Sequence, residues 1–164
     1  MLLGVTNVEI SLFIHITAAI IGLGAPFVEG IIYPVALRMN RRFLPFKHRL
    51  QLWINGFLAL PALVVILATG LYQVDELGYQ LGDFWLSGTL TIVIVLAVML
   101  GAYFIPEDRR LQAMVERDIE ASGSGDVTLS DQYLRRVRIE AAMGTLADLL
   151  VIAAVYLMVT KPGL

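Results

Sequence analysis

Four polar residues, His15, Glu29, Asn55 and Asp148, stand inside long apolar stretches of the sequence. Polar groups at membrane depth are costly and must face protein, a cavity or an interface, so each is a candidate for chemistry. His15, Gly22 and Glu29 recur every seven residues and share one helix face within roughly 40°. Ala141, Gly144, Thr145 and Asp148 make a comparable stripe of small and polar residues further on. Such faces look into a helical bundle.

His15 offers the sharpest chemistry. An imidazole there either hydrogen-bonds a neighbouring helix, or serves as a haem or copper ligand or a proton carrier. His48 lies in a KHR cluster and reads as an interfacial basic residue, roughly 25 Å from His15 along the membrane normal, too far for one iron. A haem on His15 therefore needs another axial ligand or a vacant position, and Met158 lies within reach in depth as a weak candidate. Glu29 is expected near the basic loops, either paired with Arg38, Arg136 or Arg138 or belonging with Asp148 to a proton or ligand path. Asp148 is either a buried carboxyl hydrogen-bonded across the bundle or part of that path. Asn55 reads as an interhelical hydrogen-bonding residue.

The elements that hold these groups are membrane helices. Hydropathy marks spans at about 10–37, 52–73, 85–105 and 139–160, each long enough to cross ~30 Å of hydrocarbon. Eleven of the twelve Lys and Arg residues fall in the loops after spans one and three, and only Lys161 lies at the other end. The positive-inside rule then makes those loops cytoplasmic and puts both termini outside. The expected fold is all-α, a polytopic membrane four-helix bundle in one domain over 1–164. The loop 106–138 carries Leu111, Met114, Val115 and Ile119 at helical spacing, then SGSG at 122–125. It predicts a cytoplasmic helical hairpin between helices 3 and 4, with Thr128, Ser130 or Asp131 capping the fourth helix. Pro26, Pro34 and Pro61 are expected to kink their helices, and Tyr79, Trp85 and Trp53 to sit in the aromatic belts.

Composition agrees with this class. The chain has 164 residues, 58% hydrophobic and only 16% charged, with a net charge of −2. Soluble domains carry roughly 25% charged residues. No cysteine is present, which removes disulfides, thiol catalysis and thiolate metal sites. The first apolar run is too long, and lacks the basic lead, for a cleavable signal. No phosphate-cradling loop, GxSxG elbow or HExxH occurs, so no catalytic residue is assigned and no metal site is specified. The basic loops are topology signals rather than a nucleic-acid surface. Expected partners are the lipid bilayer and a homo-oligomer or membrane-complex subunit.

Several stretches together resemble a bacterial family of predicted integral membrane proteins, domain of unknown function 2269. They are His15 with Gly22 and Gly24, then Pro61, Thr69-Gly70-Leu71, Gly78-Tyr79 and Trp85-Leu86, then Pro106 and LMVTKPG from Leu157 to Gly163. More distantly the layout resembles four-helix membrane protoporphyrinogen oxidases and copper-resistance D proteins, with a first-helix histidine, a WL start to the third helix and a KP ending. The oxidases carry a lysine after that tryptophan, where this chain has Ser87, Gly88 and Thr89. The family brings no established activity with it; His15 and the more distant resemblance together make binding of haem b, or association with redox chemistry, the leading expectation for a bacterial inner-membrane protein. Two alternatives stand beside it. One is a non-catalytic accessory or assembly subunit; the other is conduction of a small solute, metal or proton by an oligomer.

Overall fold

The computed structural model describes residues 6–163, the side chain of Pro26 excepted. The bend expected from the Pro26 ring lies outside the described residues, as do residues 1–5 of the expected uncleaved N-terminus. Four long helices account for nearly everything else: α1 (Asn7–Met39), α2 (Arg41–Leu77), α3 (Phe84–Ser122) and α4 (Asp131–Thr160). No strand occurs among the described residues.

Local chemistry sets the ends. Thr6 and Glu9 cap α1 reciprocally: the Thr6 hydroxyl accepts from the Glu9 N–H, and the Glu9 carboxylate accepts from the Thr6 N–H at 2.7 Å. The Asn40 side chain accepts from the Arg42 N–H and starts α2. Gly78, at φ 70, ends α2 in the left-handed conformation that glycine tolerates. Among the three proposed caps of α4, Ser130 is the one used, and its N–H and hydroxyl both donate to Asp118 of α3.

At ~1.5 Å per residue, the 37 residues of α2 and the 39 of α3 are far longer than a ~30 Å hydrocarbon layer requires. The excess is at the end that carries the basic residues. The first basic loop of the sequence analysis is therefore mostly helix, because residues from Leu44 onward continue α2 without a break. The helical hairpin expected between helices 3 and 4 is formed by the end of α3 and the start of α4, and the first turns of α2 pack against it. Ala36, Leu44, Leu111, Val115, Tyr133 and Val137 close a core there. Arg41 and Arg42 donate to the carbonyls of Val127, Gly123 and Gly125, tying the hairpin loop down.

Both α2 and α3 contain a widened turn, at Asn55–Ala59 and Met99–Phe104, with five-residue hydrogen-bond spacing. Each is followed within two residues by a proline, Pro61 and Pro106. Proline lacks an N–H and crowds the carbonyl four residues back, and one extra residue in the turn relieves both problems. Along the apolar stretch α1 lies on α2 and α4, and α3 lies on α4. Gly22 is the closest approach of α1 to α2: a Cβ there would collide with the Ala62 Cβ. Large apolar side chains such as Phe13, Ile20, Ile31, Val98 and Val159 project outward, as a lipid-facing surface requires.

Candidate functional site

The polar residues of the bundle separate into two regions. The seven-residue stripe of α1 does face one neighbour: His15 meets Thr69, Gly22 meets Ala62 and Glu29 meets Gln51, all on α2. His15 and Glu29 nevertheless open into different cavities.

The first, called the outer region because it lies at the end of the bundle away from the basic residues, is an apolar cleft of about 820 Å³ between α1, α2, α3 and α4. His15 and Met158 both line it, with Thr89 deeper and Tyr79, Trp85 and Lys161 together at the end. His15 Nδ1 is 2.8 Å from the Thr69 hydroxyl oxygen. That hydroxyl donates its one hydrogen to the Val65 carbonyl at 2.6 Å, so it must accept from His15 Nδ1–H. The neutral imidazole is thereby fixed with its lone pair on Nε2, to which no described residue hydrogen-bonds. Gly70 makes room for the ring: a Cβ there would sit 3.3 Å from His15 Cε1.

Three sequence stretches meet at the outer end of this cleft. Lys161 donates to the Tyr79 hydroxyl at 2.7 Å and stands over the Tyr79 and Trp85 rings at 4.5 and 5.1 Å. Trp85 is thus covered by the chain, only 2% exposed, rather than anchored in a lipid-facing aromatic belt. Trp53, stacked on Phe57, does project outward.

At the inner, basic end the sequence singled out Glu29, Asn55 and Asp148 but not the buried network around His48. His48 is fully buried, and not an exposed interfacial base. Its Nδ1–H donates to Asp108 at 3.1 Å, and the Tyr133 hydroxyl, 3.0 Å from Nε2, donates to the other nitrogen. Lys47 Nζ lies 3.4 Å from His48 Nδ1 and 3.7 Å from the Glu140 carboxylate. His48 and Asp108 lie beyond the stretches 52–73 and 85–105 that fill the hydrocarbon. Burial, with the Lys47 ammonium beside it, pushes the His48 imidazole down to about 3, so it is neutral at pH 7. Burial pushes the Asp108 carboxyl up to about 6, against the pull of Lys47.

Beside this group is a smaller cavity of about 310 Å³, lined by Glu29, Lys47, Gln51, Asn55, Glu140 and Asp148, with Ala141, Gly144 and Thr145 along the same wall. Glu29 and Asp148 therefore share a cavity, and His15 is not in it. The expected ion pair of Glu29 with Arg38, Arg136 or Arg138 is not formed: Glu29 accepts from the Gln51 amide at 3.0 Å, and Arg136 clamps Glu107 through two bonds of 2.7 and 2.9 Å. Asn55, buried in the widened turn of α2, lines the cavity and stands beside the Asp108 carboxyl of α3, its Nδ2 without a hydrogen-bond partner among the described residues. Only Leu23 and Val151 line both cavities.

Comparison with curated proteins and with solved structures finds no match. A family model, described as "Predicted integral membrane protein (DUF2269)", matches residues 9–162, which takes in all four helices, the hairpin and both polar regions. The chain belongs to this family of integral membrane proteins.

Proposed function

We propose that the protein binds a large lipophilic ligand in the outer cleft, with haem b the leading candidate and His15 the residue that would ligate its iron. One observation carries this reading. The Thr69 hydroxyl, which donates to the Val65 carbonyl, accepts from His15 Nδ1–H and so leaves the lone pair on Nε2 of a histidine that lines the cleft. Metal-bound histidines are held in the same way, by a hydrogen bond from the nitrogen that does not ligate. The cleft, at about 820 Å³, is within the ~300–1,000 Å³ range of cofactor and ligand pockets, and its lining is predominantly apolar. Met158 would be a second residue able to hold the iron, and Lys161 would supply a cation for acidic groups of the ligand. A bound haem would supply one-electron chemistry. The proposal stops at binding, since Ser87, Gly88 and Thr89 stand where the resembling oxidases carry lysine. The basic end would face the cytoplasm of a bacterial inner membrane, with both termini outside, by the positive-inside rule.

A second reading is proton or small-cation passage along the inner cavity. It is supported by the buried Glu29 Oε1 and Asp148 Oδ1, whose residues line that cavity and which have no hydrogen-bond donor among the described residues. The deciding experiment is an oxidised-minus-reduced visible spectrum of detergent-purified protein expressed with ample haem. A Soret band that shifts on reduction, weakens in Thr69→Val and disappears in His15→Ala is the expected result. A flat spectrum overturns the haem reading and leaves the passage and accessory-subunit readings.

A further inference from the structure

His48, Asp108 and Glu140 come from three different helices and are each buried. Their ligating atoms all lie within 4.8 Å of one another, and the His48 Nδ1 to Asp108 Oδ1 separation is 3.1 Å. Two donors on one tetrahedral ion with bonds of ~2.1 Å stand roughly 3.4 Å apart. The histidine–aspartate edge already has that size, and Glu140 must close by about an ångström.

The second observation is independent of this spacing. Asp108 Oδ2, Glu140 Oε1 and Gln51 Oε1 are buried oxygens with no hydrogen-bond donor among the described residues. Asp108 is 0% exposed, and Gln51 and Glu140 are each 6% exposed. Buried acceptors without donors cost about 1–3 kcal/mol each, more when charged, so a fold keeps them only when something else satisfies them. Carboxyl groups also outnumber cations at this place. Glu29, Asp108 and Glu140 converge on one buried cation, Lys47, because Glu107 is already held by Arg136 and Arg110.

We propose that His48, Asp108 and Glu140 form a binding site for a divalent metal ion of the zinc or manganese class at the basic end of the bundle. One imidazole and two carboxylates, with no sulfur, suit these ions. His48 ligates through Nδ1, and its proton then resides on Nε2, which donates to the Tyr133 oxygen. Tyr133 thus orients the ring as the hydrogen-bonding partner of a metal-bound histidine does. The Gln51 side-chain oxygen and Glu29 lie on the cavity side, where the ion enters past Lys47. Lys47, 3.7 Å from Glu140, is the competing charge that the metal displaces. This inference is independent of haem binding in the outer cleft.

The test is titration of full-length, detergent-purified, chelator-treated protein with Zn²⁺ and, separately, Mn²⁺, read by calorimetry and by the thermal unfolding midpoint. The expected result is one ion per chain and a raised midpoint. Asp108→Asn, Glu140→Gln and His48→Gln should each weaken binding about tenfold or more, in line with losses seen around metal sites. Glu116→Gln, an exposed carboxylate on the same hairpin, should leave it unchanged. Lys47→Met should tighten binding severalfold and enlarge the metal-induced rise in the midpoint, an effect that a purely structural ion network would not produce. If one ligand variant does not fold, the other two and Lys47→Met decide. Absence of uptake of both metals by the wild type, or equal affinity in the ligand variants, overturns the proposal.

Discussion

The two ends of this bundle solve the problem of polar groups among apolar helices in opposite ways. The outer cleft holds one imidazole and one ammonium in an otherwise apolar chamber, and each is held by a single hydroxyl: His15 by Thr69 and Lys161 by Tyr79. The inner end crowds Lys47, His48, Asp108, Glu107 and Glu140 into a buried network that spans three helices. The outer arrangement leaves a nitrogen lone pair and open volume. The inner one leaves unsatisfied oxygens and more carboxyl groups than cations. The first is suited to a large apolar guest and the second to a small cation. Because only Leu23 and Val151 border both, the two chambers sit end to end along the bundle axis with a thin apolar partition between them.

The change expected to erase the distinction altogether is Gly22→Leu. Its side chain would enter the Ala62 contact that seats α1 on α2 between the two regions. Overpacking of this kind costs about 1–3 kcal/mol or more, and here there is backbone as well as side chain in the way. The unfolding midpoint in detergent should fall further for this variant than for those below. Tyr133→Phe sharpens the comparison instead. It removes the hydroxyl on His48 Nε2 and should cost about 1–2 kcal/mol through a buried, unpaired nitrogen. Its effect should be confined to the inner end, so any visible band belonging to the outer cleft should be unchanged. Lys161→Met is the mildest. An exposed cation–π contact is worth about 0.5–1 kcal/mol, so stability should barely move. Trp85 emission, measured in a Trp53→Phe background, should nonetheless change because the ammonium above the indole is gone.

The outer region was legible in the sequence, and of the inner one only Glu29, Asn55 and Asp148 were, for physical reasons. A histidine or tryptophan in a long apolar run is conspicuous, and the stretches holding Tyr79, Trp85 and Lys161 stood out one by one before the fold joined them. Lys47, His48 and Asp108 lie among arginines, where charge reads as solvent exposure. Yet Leu44, Lys47, His48, Gln51 and Asn55 fall at the three- and four-residue intervals of one helix face, and all five are buried. So do Leu111 and Val115 after Asp108, and Val137 and Glu140 after Tyr133. The periodicity was present, but it carries a face only once the stretch is known to be helical, and the run of arginines argued for a loop. Glu29 shows a different shortfall. Its depth near the basic end could be counted from the sequence, but its partner could not, since Arg136 was already engaged by a glutamate of α3.

The widened turns at Asn55–Ala59 and Met99–Phe104 have a further consequence. One additional residue advances a helix by about 100°, so the side-chain phase on either side of each turn is offset by that amount. α2 and α3 are each two amphipathic scales joined out of register, one tuned to the bilayer and the other to the polar network. Substitutions on one scale leave the phase of the other intact, and the two ends are free to diverge separately. A single-residue deletion within either turn removes the offset and rotates a whole half-helix, which makes these turns the frame-setting positions of the chain.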